Sequence, residues 1–333
     1  MKEFIRNIAL FFIPVFLGII LLFTIPVNKK FSYQFVKGEC SNMASWIYYR
    51  TSENPKSIDI AFSGASHFAC GIMDELIENE LNSHSDSLIT VANLGYCRGG
   101  RDVQYVMLKD ILKHKKPKIL FIEIAEDEPR KSHQVFPFLA ESNDLFGSFV
   151  FFNQRYFKSL WNGLIVRFEF FKFIVMHKTY FTPDNTTDFG YLHSDQLASS
   201  DEMEINKRAW SNKFNRPKPE LIKTIERNYS KHYLRKIVNL ASQHDCRVLF
   251  FYLPESGSGL KEPLNMKFYE SFAPVISLPD TIINNPANWK DPMHFNDTGA
   301  QKTSQFIVPI IEKELAKITG NEKMELQLKF SPD

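Results

Sequence analysis

The chain has 333 residues, 44% of them hydrophobic and 23% charged, with a formal net charge of +2. This composition fits one large or two small globular domains, excludes a disordered chain, and gives no electrostatic case for binding nucleic acid. The 31 phenylalanines cluster early and in the middle.

In chain order, Ile8 to Val27 (IALFFIPVFLGIILLFTIPV) carries no charge, and as a helix it would span about 30 Å, the thickness of a bilayer core. Lys2 and Arg6 precede the run, and Lys29 and Lys30 follow it. The sequence "TIPVNKK" offers no A-x-A-like cleavage site, so residues 1–30 are expected to be an uncleaved transmembrane anchor rather than a removed signal peptide. Basic residues flank both ends, so charge does not set the orientation. With no second such run, the remaining chain is expected on one side of the membrane. Residues 31–55 read as a connector with a short helix around Met43 to Arg50.

From 56 to 320, strand and helix patterns alternate. Ile58–Ser63 reads as a strand, and Phe68, Ile72, Leu76, Ile77 and Leu81 give His67–Leu81 the spacing of an amphipathic helix. Leu88–Leu94 is a second strand, Asp102–Lys113 a helix with Asp102 as N-cap, and Lys118–Ile124 a third strand. Residues 126–219 are too long for an ordinary crossover. They hold an apolar, aromatic, helix-like stretch and then a polar loop to Asn215, and read as a helical insertion above the sheet whose aromatics serve packing or a lid. Glu220–His244 is a long helix, Arg247–Leu253 a fourth strand and Ala273–Ser277 a short fifth. A closing helix, capped by Asp297 and kinked at Pro309, runs to about Ile318, and 321–333 is a polar tail. The alternation predicts an α/β fold: a mainly parallel, about five-stranded sheet with helices on both faces.

Cys40, Cys70, Cys97 and Cys246 lack zinc-site spacing, and no metal or organic cofactor is implied. Their pairing is open: Cys70 and Cys97 each follow a candidate active-site turn, and buried free thiols are the alternative. "NTT" at Asn185 has the form of a glycosylation acceptor.

The stretch "IAFSGASHFACGI" places Ser66 in a small-residue turn just past the first strand, at the end of a parallel sheet where ligands bind. A serine needs a base and a group to orient that base. "NWKDPMHFNDTGAQ" supplies both: the three-residue spacing puts Asp291 and His294 on one side of a turn, so the carboxylate holds one imidazole nitrogen while the other faces a hydroxyl.

These segments resemble the SGNH (GDSL-like) hydrolase superfamily. "FSGASH" is similar to its block I, "NLGYCRGG" to block II and "DPMHFNDTG" to block V, in matching order from Ile58 to Ile318. The resemblance implies a three-layer α/β/α sandwich with a flavodoxin-like strand order. It implies Ser66 as nucleophile, His294 as general base and Asp291 as its orienter, with the backbone N–H groups of Ser66 and Gly95 in the oxyanion hole. Block III normally ends in an asparagine that completes that hole. Here the region reads "FIEIAEDEP", so either another donor, Arg98 or Asn93, serves or catalysis is slow. This pattern resembles a divergent, membrane-anchored branch that includes alginate O-acetylation and teichoic-acid D-alanylation proteins. That likeness implies O-acylation of a cell-surface polysaccharide on the extracytoplasmic side, beside a multi-pass membrane O-acyltransferase. An esterase acting on acylated carbohydrate and a non-catalytic binding or assembly subunit are the alternatives. Around the site, His67 is expected at the substrate edge or in a structural role. Glu123 is expected as a satisfied carboxylate or a contact to a substrate hydroxyl. Arg98 is expected as a solvated arginine, with pairing to an acidic sugar or Glu126 as the sharper reading, and Asn296 with Gly299 would shape the turn and helix start.

Overall fold

The structure, a computed structural model, describes residues 1–85, 87–124, 126, 130–149, 153–181, 186–214 and 219–320. Helix α1 (Lys2–Thr24) is followed by α2 (Lys29–Phe35) and α3 (Ser41–Tyr48). Strand β1 (Ile60–Ser63) leads into α4 (Ser66–Gly71) and α5 (Asp74–Ser83), and β2 (Val91–Asn93) into α6 (Arg101–His114). After β3 (Ile119–Ile124) come α7 (Phe136–Leu139), α8 (Ser142–Gly147), α9 (Tyr156–Val175) and α10 (Ser200–Phe214). The chain continues through α11 (Glu220–Gln243), β4 (Arg247–Tyr252), α12 (Met266–Glu270), β5 (Val275–Ser277) and α13 (Asp280–Ile283). It closes with a hairpin of β6 (Trp289–Asp291) and β7 (His294–Phe295), then α14 (Asp297–Thr319).

Strands β1 to β5 form one parallel sheet in the order β2-β1-β3-β4-β5. Side chains alternate across it. Ile60, Phe62, Phe121 and Phe251 enter one core with Ile77 of α5 and Ile311 of α14; Ala61, Leu120, Ile122 and Phe250 enter another with Ile47 of α3, Val106 of α6 and Ile237 of α11. Burial on both faces accounts for the apolar runs at residues 119–122 of β3 and 248–252 of β4, since each such side chain contributes about 1.5–3 kcal/mol when removed from water. Helix α1 is 23 residues long and apolar enough to cross a membrane.

Several elements differ from the sequence expectation, for tertiary reasons. The helix expected over His67–Leu81 is two helices. The break is stabilised by Asn93, whose Nδ2 donates to the carbonyls of Phe68 (2.7 Å) and Ile72 (2.8 Å), and by Ser304 Oγ, which accepts the Met73 N–H at 2.8 Å. Gly100 and not Asp102 precedes α6; the buried Asp102 carboxylate instead accepts the His133 N–H (3.0 Å) and the Tyr229 hydroxyl (3.2 Å). Asn296 and not Asp297 caps α14, and Pro309 lies inside that helix. The stretch expected as a connector places Tyr33, Cys40, Ala44 and Ile47 in a core. Part of the expected polar loop to Asn215 is α10. Its start is a reciprocal cap: Ser199 Oγ accepts the Glu202 N–H, and Glu202 Oε2 accepts from Ser199 (2.9 Å from Oγ). Asn185, Asp127 and the 321–333 tail lie outside the described residues.

Cys97 pairs with Cys40, with their Cα atoms 5.5 Å apart, while Cys70 and Cys246 are buried free thiols. Cys70 therefore does not partner Cys97; its sulfur accepts from Lys290 Nζ at 3.2 Å. The disulfide closes a loop of 57 residues. Its removal by Cys40→Ala with Cys97→Ala should lower unfolding free energy by about 4 kcal/mol on loop entropy, measured by denaturant titration at fixed detergent or lipid.

Candidate active site

Between the end of β1 at Ser63 and the start of α4 at Ser66 the chain turns in two residues. Gly64 is there because a Cβ would lie 2.5 Å from Glu123 Oε2 and 2.6 Å from the Phe68 ring, and only a hydrogen fits. The turn delivers Ser66 to the carboxyl end of the sheet, half-exposed.

Asp291 and His294 reach the same place by a different local structure from the one expected. They face each other across the antiparallel β6–β7 hairpin, on either side of Pro292 and Met293. Cross-strand partners of this kind have adjacent side chains, so the D-x-x-H spacing works through a hairpin instead of a helical turn. Trp289 and Phe295 secure the hairpin base with rings 4.3 Å apart, and Trp289 Nε1 donates to the Ile283 carbonyl at 2.9 Å. Asn296 Oδ1 accepts the Gly299 N–H at 3.1 Å and its Nδ2 donates to Ala287 O at 2.9 Å. A Cβ on Gly299 would lie 2.2 Å from the Asn288 carbonyl, which explains the glycine. Both residues serve the hairpin and the start of α14.

The three side chains converge. His294 Nε2 lies 2.8 Å from Ser66 Oγ, and His294 Nδ1 lies 2.9 and 3.0 Å from the two Asp291 oxygens. Asp291 Oδ1 also accepts the N–H groups of Met293 (2.8 Å) and His294 (2.9 Å). Partial burial works against its ionisation, but the hydrogen bonds from His294 and Met293 outweigh that and hold its pKa below the ordinary 3.8. A serine hydroxyl, an imidazole and an ionised carboxylate in this order can deprotonate the hydroxyl and hold the imidazolium that results.

A second carboxylate–imidazole pair lies beside the first. Glu123, at the end of β3 and only 3% exposed, spends one oxygen on the Ala65 N–H and the other on His67 Nδ1 at 2.8 Å. The carboxylate is therefore satisfied internally. Burial alone would lower the pKa of His67, but Glu123 reverses this, with smaller contributions from Glu255 and Asp291, and leaves it above the ordinary 6.5. Burial would raise Glu123, and His67, the Ala65 N–H and Arg101 bring it below the ordinary 4.5. The His67 and His294 rings are 5.5 Å apart, and His67 Nε2 is buried with no hydrogen-bond partner among the described residues.

The expected oxyanion donors are only partly in place. The Gly95 N–H donates to Asn93 Oδ1 at 3.0 Å, so it is already committed. The glycine is needed for close packing, since a Cβ would lie 2.4 Å from the Ala69 nitrogen of α4. Asn93 is fully buried and its amide hydrogens hold the end of α4, so it is not a donor to substrate. Arg98 is exposed in a left-handed conformation (φ 60°). Sequence reasoning did not find the Glu123–His67 pair, nor Lys290 on Cys70, nor Glu255, which accepts from Trp210 Nε1 at 3.0 Å. A buried acidic residue inside the apolar run "ILFIEI" was the available signal for Glu123.

The chain matches no protein-family model and no curated protein.

Proposed function

We propose that this chain is a membrane-anchored, SGNH-like protein that transfers an acyl group through Ser66, most specifically in O-acylation of a cell-surface polysaccharide. The observation that carries the reading is the 2.8 Å approach of His294 Nε2 to Ser66 Oγ, with Asp291 on the other ring nitrogen. The strand order β2-β1-β3-β4-β5, with apolar cores on both faces, supports a flavodoxin-like three-layer α/β/α assignment. The Cys40–Cys97 disulfide supports an oxidising, extracytoplasmic location, with α1 as the anchor.

In the proposed reaction, Ser66 Oγ attacks the acyl carbonyl while its proton passes to His294 Nε2. The tetrahedral adduct collapses by breaking the donor's ester C–O bond, and His294 returns the proton to the departing alkoxide. A sugar hydroxyl then gives its proton to His294 and takes the acyl group from Ser66, which recovers its own proton. Water in place of the sugar gives hydrolysis, the esterase alternative. A multi-pass membrane O-acyltransferase is the partner class suited to supply the acyl donor. With Gly95 committed and Glu123 where an asparagine is expected, we assign the oxyanion to the Ser66 N–H and the His67 imidazolium. Among the described residues His67 Nε2 has no hydrogen-bond partner and the anion on its Nδ1 favours its protonated form, which supports that assignment; substrate would reach this buried nitrogen by displacing the atoms that cover it.

A second reading, a non-catalytic polysaccharide-binding or assembly subunit, is favoured by the committed Gly95 amide. Labelling the intact full-length chain with a fluorophosphonate separates the two. The expected result is an adduct on the Ser66 peptide by mass spectrometry, absent in Ser66→Ala and sharply slowed in His294→Ala. A folded wild-type chain that forms no adduct overturns the catalytic reading and leaves the second.

A further inference from the structure

Helix α9 has one buried face and one bare apolar face. Phe157, Trp161, Ile165, Phe168, Phe171 and Val175 recur every three or four residues and form a single stripe. Phe157 is 79% exposed, Trp161 63% and Phe168 49%. The sequence predicts that these aromatics pack or form a lid; among the described residues the ring contacts of the stripe are to neighbours on α9 itself, Tyr156 at Phe157 and Lys172 at Phe168, and the stripe stays exposed. A stripe of this size is larger than the scattered apolar residues an aqueous surface normally carries.

The opposite face of α9 shows what lies nearby. A Cβ on Gly163 would meet Leu145 of α8, and Phe170 lies 5.1 Å from the Phe31 ring of α2. The buried Arg167 guanidinium stacks 5.0 Å from the ring of Phe23, in the last turn of α1, and donates to Ser142 Oγ, which in turn donates to the Phe23 carbonyl. Phe23 also lies 5.0 Å from Phe146, itself half-exposed. The end of the membrane-length helix is thus fixed to the inner face of α9. If α1 spans, α9 is held at the level where the span leaves the bilayer.

We propose that α9 lies on the membrane surface, with its aromatic stripe among the headgroups and upper acyl chains of the lipid. Tryptophan and phenylalanine suit that boundary, and the exposed Lys158 and Lys178 near the two ends can meet anionic headgroups. The globular domain is then held at two points, by a span and by an interfacial helix, which fixes its tilt above the bilayer. The inference rests on the reading of α1 as an anchor and is independent of the chemistry at Ser66.

Trp161 is a native reporter, because Trp46, Trp210 and Trp289 are all buried. The full-length chain is reconstituted into phosphatidylcholine vesicles with and without acyl-chain bromine, alongside Trp161→Phe. Subtracting the variant isolates the Trp161 emission. The expected result is loss of more than half of that emission in brominated vesicles, together with protection from aqueous iodide. Trp161 quenched by iodide and untouched by bromine overturns the proposal. Protection from both quenchers also overturns it, because a protein surface then covers the stripe. Flotation of the same samples tests the anchor: a chain that does not float with vesicles sinks both readings, whereas a floating chain with iodide-accessible Trp161 sinks only the one for α9.

Discussion

Ser66→Ala should abolish ester turnover by the full-length chain, with a loss on the order of 10⁶ in kcat, while leaving the fold unchanged. Ser66 is partly exposed and its hydroxyl bonds to Nε2 of His294, itself 21% exposed, at 2.8 Å, so its removal leaves no fully buried group without a partner. Hydrolysis of p-nitrophenyl acetate by the reconstituted protein, with far-UV circular dichroism as the control, measures both. Asp291 requires a gentler variant. Its Oδ1 holds the Met293 and His294 amides as well as the imidazole, so alanine would loosen the hairpin and confuse shape with chemistry. Asn keeps those acceptors but presents an amide N–H to Nδ1 or forces the wrong tautomer, and should cost about 10⁴ in kcat with little change in melting temperature. Because the three groups act as one unit, Ser66→Ala combined with His294→Ala should be no slower than Ser66→Ala alone. Turnover in Ser66→Ala within about tenfold of wild type would place the chemistry elsewhere.

Why the triad was legible and its surroundings were not follows from how each is encoded. The parallel strands announce themselves as apolar runs, and the serine turn and D-x-x-H are local words, each readable within a few residues of sequence. The ends at Ser63, Ile124, Arg247 and Ser277 coincide with the expectation and the others lie one to three residues inside it, because pairing registers such as Ile60 with Val91 and Ile119 are tertiary facts. The break between α4 and α5 could not be seen, since its carbonyls are taken by Asn93, more than twenty residues away. The Cys40–Cys97 pairing and the commitment of Gly95 are likewise matters of distance in space. Two local signals carry more than the sequence reading takes from them: the Ser199-x-x-Glu202 cap of α10, and a lone glutamate in a strand buried on both faces, which reads as a satisfied carboxylate but does not by itself name His67 as its partner. The aromatic stripe of α9 was visible as composition, but only the fold shows which of its two faces is covered.

That lone glutamate carries the second large effect. Glu123→Ala should cost about 3–5 kcal/mol of stability, because it removes a buried carboxylate and strands the Ala65 N–H and the His67 Nδ1 that it had paired. Glu123→Gln, which keeps the shape and one acceptor, separates the charge from the packing through pH. His67 has a folded pKa above 6.5, so its contribution is fully present below about pH 6.5 and is lost as pH rises through the folded value. Glu123 has a folded pKa below 4.5, so its contribution is present above about pH 4.5 and is lost as pH falls through the folded value. Both partners are charged only between those limits. The gap in unfolding free energy between wild type and Glu123→Gln should therefore be widest near pH 5–6, at about 2–4 kcal/mol, and should narrow on the alkaline side as His67 loses its proton. Chemical denaturation across pH 4 to 9 at constant lipid or detergent tests this. If the His67 imidazolium also holds the oxyanion, the same variant moves the alkaline limb of kcat to lower pH, since without the anion His67 gives up its proton sooner. A gap in stability that is flat across pH would mean that the pair is not ionised in the folded protein. An alkaline limb that stays in place while the stability gap moves would leave His67 as a structural group and return the oxyanion to the backbone alone.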